Sequence, residues 1–305
     1  MSTSATGIAI SRDRPQLAFW TARVRDYLQL AKPRITILEL VTAVAGMYLA
    51  SYGAIPLEVA AATLVGAGML AVSANTLNQY LERRLDARMK RTADRPLPTG
   101  RLTPTSAAVF GFFNLALGMT VLVLGVNWTT AILGLVSWLL YVAVYTPLKV
   151  RTPFNTTIGA VSGAIPIVMG WTAAGGALDA TALGLFGVVF FWQYPHFMAI
   201  AWLCREDYTA AGYQMDSVVE PTGARAGAIA VAGAAMLLPV AVLPAIRTPF
   251  SAQEYLMVAA SLNALLILVA GMFLLRRNDR SARRLLRASL LYLPAWMLAL
   301  CWLGC

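Results

Sequence analysis

Long apolar runs constrain the fold of this 305-residue chain more than any other feature. A membrane-spanning helix needs about 20 mostly apolar residues, and nine runs reach about that length. None of them alternates apolar and polar residues in the way that barrel strands do. The pattern therefore predicts an all-α, polytopic membrane protein, with spans near residues 36–53, 57–80, 105–125, 128–147, 156–174, 181–203, 225–245, 255–275 and 286–304.

The composition agrees with a membrane protein. Hydrophobic residues make up 59% of the chain and charged residues only 12%, whereas soluble domains carry about 25% charged residues. The net charge of +10 comes from Lys and Arg clustered between the apolar runs. Such clusters are typical of membrane topology, so the charge does not predict a nucleic-acid partner.

The positions of Lys and Arg orient the spans. With the N-terminus in the cytoplasm, every one of the 24 Lys and Arg residues except Arg247 lies on the inner side, as the positive-inside rule requires. This predicts a cytoplasmic polar segment at 1–30, one membrane domain at 31–305, and a C-terminus on the outer side of the cell inner membrane. The longer polar connections also face inward, so we expect function at the inner mouth.

Three polar residues follow the second apolar run at helical spacing. Asn78, Glu82 and Asp86 lie four residues apart, which stacks them along one stripe of a helix. Oxygen ligands of this kind suit Mg²⁺, which proteins usually share with substrate phosphates. A solvated helix end held by ion pairs to nearby arginines is the alternative interpretation.

Two further inner segments carry polar groups. Lys149 and Arg151 follow the fourth run, where ordinary positive-inside chemistry also accounts for them. His196, the only histidine, lies within the sixth run, where an ionisable residue is functional by default, although a hydrogen bond to a neighbouring helix is the alternative. If the helix continues past Pro195, His196 and Asp207 share a face about 16 Å apart.

These segments together resemble the UbiA-type intramembrane prenyltransferases, and within them the heme O synthase branch. The similarity is carried by five motifs spread over nearly the whole chain, in the expected order: AKPRIT (31–36), NQYLERRLDARMKRTADRPL (78–97), YTPLKVRTPFNTTIGAVSGAIP (145–166) with GW (170–171), FWQYPHF (191–197) and DYTAAG (207–212). The chain departs from the wider superfamily twice. Its first motif has Glu82 in place of the usual middle aspartate, and Leu203 stands four residues before Asp207, which leaves the number of Mg²⁺ ions open.

The resemblance implies a nine-span prenyltransferase bundle that transfers farnesyl from farnesyl diphosphate to a vinyl group of protoheme IX within the lipid bilayer, with hand-over of the product to a heme A synthase. It implies three groups of site residues. Mg²⁺ is held by Asn78, Glu82, Asp86 and Asp207. The leaving diphosphate is neutralised by Arg91, Arg95, Lys149 and Arg151. The heme is bound by His196, as an iron ligand or a proton-transfer group, and by Gln193 and Trp192.

Two other functions stay open on the sequence. A related prenyltransferase acting on a quinone precursor or another aromatic acceptor shares the same motifs, and the segment around His196 together with the single Asp207 distinguishes it. A transporter of an anionic substrate is a more distant alternative. Transporters hold substrate near the midplane between repeated halves, whereas the polar groups here gather at one end and no clear repeat is visible.

Overall fold

The computed structural model describes residues 13–247 and 252–303. Its helices in chain order are α1 (Asp13–Ala31), α2 (Pro33–Ser51), α3 (Leu57–Asp86), α4 (Pro104–Gly125), α5 (Trp128–Leu139), α6 (Thr146–Leu148), α7 (Asn155–Ala173), α8 (Ala180–Leu203), α9 (Arg205–Ala211), α10 (Asp216–Val219), α11 (Ala224–Val240), α12 (Ala252–Arg276) and α13 (Asp279–Leu303). A π-helical segment, Leu140–Tyr145, joins α5 to α6, and a 3₁₀ segment, Leu243–Arg247, follows α11.

Nine stretches in this part of the chain are helical, long and apolar enough to cross a membrane. The predicted all-α, nine-span architecture is therefore confirmed. Two boundaries differ by more than three residues. The second span continues to Asp86, and the ninth helix begins at Asp279 rather than at 286. The predicted last residue of that span, 304, lies outside the described residues.

The N-terminal region is not separate from the bundle. Residues 1–12 of the predicted polar segment lie outside the described residues, and α1 occupies the remainder. Leu30, near the end of α1, is fully buried against Leu97 and Leu102, and Asp26 accepts a hydrogen bond from Arg101 Nε at 2.9 Å. The predicted boundary after residue 30 thus falls inside a packed helix.

Glycines let neighbouring helices approach closely, as is typical of membrane bundles. A Cβ atom on Gly170 of α7 would overlap the carbonyl group of Ala43 on α2, and one on Gly46 would overlap the carbonyl of Ile167. Between α3 and α4, a Cβ on Gly118 would lie 2.9 Å from the carbonyl oxygen of Gly66. These backbone contacts fix α2 and α4 beside the helices that carry the polar motifs.

Two irregular features lie near the polar motifs of the spans. The π-helical segment Leu140–Tyr145 widens the helix just before Thr146 and Lys149, and π-bulges occur frequently at functional sites. Pro195 lies inside α8 without ending it, since the helix continues to Leu203. Membrane helices tolerate such prolines when neighbours satisfy the freed carbonyl.

The connection between α3 and α4 is a folded cap at the end of the bundle that carries the polar stripe. Met89, Thr92, Leu97 and Leu102 are all buried, and Thr92 Oγ1 donates a hydrogen bond to the backbone carbonyl of Asp86 at 2.8 Å. This packing turns the chain back over the end of α3, so the cap can place side chains onto the stripe that α3 carries.

Candidate active site

The polar stripe on α3 lies inside the protein. Asn78, Glu82 and Asp86 occupy the last turns of one continuous helix and are 1%, 5% and 1% exposed. Acidic side chains are almost never buried to this degree unless they are paired. The alternative of a solvated helix end is therefore wrong for these three residues.

Each member of the stripe meets a cationic side chain from a different segment. Lys32 Nζ donates to Asn78 Oδ1 at 3.1 Å, Lys149 Nζ donates to Glu82 Oε1 at 2.7 Å, and Arg95 donates to Asp86 Oδ2 at 2.7 Å. These cations come from the α1–α2 junction, the end of α6 and the α3–α4 cap.

We call these six residues the charge ring: Asn78, Glu82, Asp86, Lys32, Lys149 and Arg95. Three cationic groups face two carboxylates in it.

Local backbone geometry delivers two of the cations. Lys32 adopts the left-handed conformation, with φ 47° and ψ 62°, which costs a residue other than glycine on the order of 1–3 kcal/mol. This turn sends its side chain back to α3 instead of along α2. Lys149 leaves the short α6, where Thr146 Oγ1 also accepts a hydrogen bond from Asn78 Nδ2 at 3.1 Å.

The surroundings of the two lysines shift their pKa values in opposite directions. Burial, together with the nearby Arg95 and Lys149 cations, lowers the pKa of Lys32 to about 7. Burial also disfavours the charged form of Lys149, but the Glu82 carboxylate outweighs it and raises the pKa well above its usual value. The surroundings of Lys149 therefore favour its charged form, and its Nζ lies 4.5 Å from the centre of the Tyr145 ring.

Two oxygen atoms in the site lack partners. Asp86 Oδ1 and the Tyr213 hydroxyl are buried and make no hydrogen bond, although buried polar groups are normally satisfied. Among residues 13–247 and 252–303, no three His, Cys, Asp or Glu side chains form a ready-made metal cluster. Mg²⁺ does not require one, since it usually binds one or two carboxylates plus substrate phosphates. The amide and carboxylate oxygens of the stripe fit that ion.

Asp207 contacts the cap that follows the stripe, from a separate helix. Helix α8 ends at Leu203, and Asp207 lies on the separate short helix α9. The expected continuous helical face from His196 to Asp207 is therefore wrong, because the chain turns at Cys204. Asp207 Oδ1 accepts a hydrogen bond from the backbone N–H of Lys90 in the cap at 3.1 Å. Its place in a four-residue Mg²⁺ set stays a prediction.

The remaining predicted diphosphate ligands lie at the surface of the mouth. Arg91 is exposed, with its guanidinium 5.5 Å from the centre of the Tyr208 ring on α9. Arg151 is also exposed, two positions after Lys149. Only Arg95 and Lys149 of the four predicted cations join the charge ring, while the other two line its rim.

The predicted heme contacts form a second polar group deeper in α8. Gln193 Nε2 donates to the carbonyl of Ala160 on α7 at 2.8 Å, so this amide ties two helices together. Trp192 Nε1 donates to the carbonyl of Ser289 on α13 at 2.6 Å. The imidazole of His196 stacks on the Trp192 ring, with ring centroids 5.0 Å apart, and its Nδ1 lies 3.0 Å from Ser289 Oγ.

Sequence reasoning missed three residues of the site: Lys32, Thr146 and Tyr213. The AKPRIT motif contains Lys32 without giving it a role at the site, and its position next to Pro33 was the available signal, since that pair marks a sharp turn between helices. Tyr213 follows Gly212, whose φ of +76° reverses the chain after α9, and Lys149 Nζ lies 5.8 Å from the centre of the Tyr213 ring. Neither contact could be assigned without the fold that brings these turns together.

The fold and this geometry define a multi-pass helical membrane protein with a buried site of oxygen ligands and cations at one end. Residues 40–298 match the model of the UbiA prenyltransferase family. The chain is 42% identical over 283 residues to a protoheme IX farnesyltransferase of Rhodopirellula baltica, which covers 90% of this chain and 98% of the relative.

Two solved structures share the fold. A digeranylgeranylglyceryl phosphate synthase superposes with a TM-score of 0.76 at 17% identity, covering 93% of this chain and 99% of that protein. A UbiA homologue from Archaeoglobus fulgidus bound to GPP and Mg²⁺ gives a TM-score of 0.62 at 16% identity, covering 90% of this chain and 99% of that one. The chain belongs to the UbiA prenyltransferase family.

Proposed function

We propose that this protein transfers the farnesyl group of farnesyl diphosphate to a vinyl group of protoheme IX, giving heme O, the precursor of heme A. The observation that carries the proposal is the charge ring. It occurs in a chain that is 42% identical to a protoheme IX farnesyltransferase over 90% of its length. Family membership favours an enzyme over the anion transporter. An aromatic acceptor remains the second candidate.

We infer that Asn78, Glu82 and Asp86 hold Mg²⁺, and that Asp207 approaches from α9 to complete the set. The stripe supports this role because it offers only hard oxygen ligands and leaves Asp86 Oδ1 unpartnered. A bound Mg²⁺ would neutralise charge on the diphosphate as the bond to the prenyl carbon breaks.

The cations of the site have a separate task. Two buried carboxylates would repel a diphosphate, but Lys149 and Arg95 balance their charge, and Lys32, with its pKa of about 7, adds a third positive charge when it is protonated. Each of these side chains is held against a stripe residue at hydrogen-bond distance, beside the oxygen atoms that would hold Mg²⁺. Arg91 and Arg151 at the rim extend the positive surface toward water. Fixed cations directed at the negative charge that develops in the transition state usually make the largest single contribution to the rate enhancement.

The apolar bundle then protects the reaction. Cleavage of the C–O bond leaves an allylic cation that the heme vinyl group attacks to form the new C–C bond. Water adds to the resulting cation and loses a proton, which yields the hydroxyethylfarnesyl group. The folded cap formed by residues 87–103 limits entry of water at the earlier stage, when hydrolysis would destroy the prenyl cation.

The location of the reaction follows from the topology. We propose that the protein lies in the cell inner membrane with the N-terminus and the charge ring on the cytoplasmic side and the C-terminus outside, because the basic residues flank that side. The product stays in the lipid bilayer, from which a heme A synthase would take it.

A mass measurement tests the function. Membranes that contain the protein are incubated with protoheme IX and farnesyl diphosphate, with Mg²⁺ or with a chelator. We expect a heme heavier by one farnesyl group plus one hydroxyl group, formed only with Mg²⁺. Prenylation of an aromatic quinone precursor, with protoheme left unchanged, would favour the second candidate.

A further inference from the structure

Ser289 on α13 connects the two aromatic residues of α8 that face it. Its Oγ atom lies 3.0 Å from Nδ1 of His196, and its backbone carbonyl accepts the indole N–H of Trp192 at 2.6 Å. Ser289 is fully buried. A serine in this position therefore acts on His196 from a neighbouring helix and not through solvent.

The hydroxyl of Ser289 makes a second hydrogen bond, and this second bond bears on which atom donates in the contact with His196. Its Oγ donates to the carbonyl oxygen of Leu286 at 2.8 Å, and a carbonyl oxygen can only accept. Because a hydroxyl has a single proton, Oγ accepts in its contact with His196 when it donates to Leu286. In that arrangement Nδ1 of the neutral imidazole carries the hydrogen.

This proton assignment leaves Nε2 of His196 with a free lone pair. Within residues 13–247 and 252–303, the hydrogen bond through Nδ1 is the one that His196 makes. The ring is held between the Trp192 ring at 5.0 Å and the Phe197 ring at 5.8 Å. The imidazole thus has two aromatic neighbours and one hydrogen-bonded nitrogen, Nδ1.

We propose that Ser289 is a positioning residue that holds His196 as the Nδ1–H tautomer, so that Nε2 coordinates the iron of the porphyrin acceptor. The inference rests on protoheme as the acceptor in the proposed function. It adds which atom of the protein binds the iron, Nε2 of His196, and which residue orients that imidazole, Ser289. Histidine ligands commonly donate their second ring N–H to an outer partner, and loss of such partners typically costs about 10–100-fold in metal affinity.

The test titrates ferric protoheme IX into the purified full-length protein and records the Soret absorption band. We expect His196→Ala to shift the band and weaken binding, and Ser289→Ala to weaken binding about tenfold with a smaller spectral change. Ser289→Thr retains the hydroxyl and should recover most of the affinity.

A second serine serves as the matched control. Ser261 on α12 also donates to a carbonyl of its own helix, that of Met257 at 2.8 Å, but it is exposed and contacts no histidine. Ser261→Ala should leave the affinity and the spectrum unchanged. Equal melting temperatures of Ser289→Ala and Ser261→Ala would show that Ser289→Ala is folded.

The possible failures are distinguishable. If the wild-type protein binds heme, and Ser289→Ala or His196→Ala binds it with wild-type affinity and spectrum, the positioning proposal is overturned while heme transfer stands. If the wild-type protein binds no heme, the acceptor in the proposed function is wrong and the positioning proposal falls with it.

Discussion

Removal of Lys149 should expose the cost of the buried charge at Glu82. The side chains of this ion pair are only 11% and 6% exposed, and breaking a buried pair from one side typically costs about 3–5 kcal/mol because the remaining charge is uncompensated. We expect Lys149→Met to lower the free energy of unfolding by this amount in Mg²⁺-free buffer.

A second ion pair of this protein provides the control. Arg101 and Asp26 lie 2.9 Å apart, but the arginine side chain is 42% exposed, and surface pairs are worth about 0–1 kcal/mol. Arg101→Met should therefore change stability by no more than about 1 kcal/mol. The double variant Lys149→Met with Glu82→Gln should recover much of the loss, since no unpaired charge remains.

The response of stability to Mg²⁺ distinguishes a metal-binding site from an ion pair that is only structural. Lys149 competes with a cation for Glu82, so Lys149→Met should bind Mg²⁺ more tightly and gain more stability from it than the wild type does. Thermal unfolding in detergent, followed by tryptophan fluorescence with and without Mg²⁺, measures both effects. A variant as stable as wild type, or one indifferent to Mg²⁺, would refute the reasoning.

Three further predictions concern the site and the bundle. Asp86→Asn should abolish Mg²⁺-dependent turnover, measured by product mass, while the protein remains folded in the membrane; normal turnover would remove Asp86 from the metal site. Tyr213→Phe should not lower the melting temperature, because the buried hydroxyl that it removes makes no hydrogen bond and an unsatisfied buried group costs stability; a clear loss of stability would contradict this. Gly170→Ala should destabilise the protein by about 1–3 kcal/mol or more, because the new methyl group meets the carbonyl of Ala43. Gly271→Ala, which has open space around it, should be tolerated, and equal melting of the two glycine variants would contradict the packing argument.

Patterns that act within one element could be predicted from the sequence. The i, i+4, i+8 spacing of Asn78, Glu82 and Asp86 requires only a helix, and that helix exists to Asp86. The span count also followed from length and apolarity alone. Both predictions depend on properties of a single segment of the chain, its helical period in the first case and its apolar length in the second.

Contacts between elements could not be predicted in this way. Lys32 reaches Asn78 from 46 positions away through a left-handed turn, and a topological charge count gives no sign of it. The helix that carries His196 ends before Asp207, at Cys204, although the more obvious helix breaker, Pro195, left α8 intact. The cap over the mouth depends on the burial of Met89 and its neighbours in tertiary structure.

The central claim is that the charge ring receives a divalent cation together with a diphosphate. Anomalous diffraction from crystals grown with Mn²⁺ and farnesyl diphosphate tests it most directly. We predict a peak within coordination distance of Glu82 and Asp86, with Lys149 and Arg95 turned from these acids to the phosphate oxygens. A peak elsewhere, with the Lys149–Glu82 and Arg95–Asp86 pairs intact beside bound diphosphate, would contradict the account.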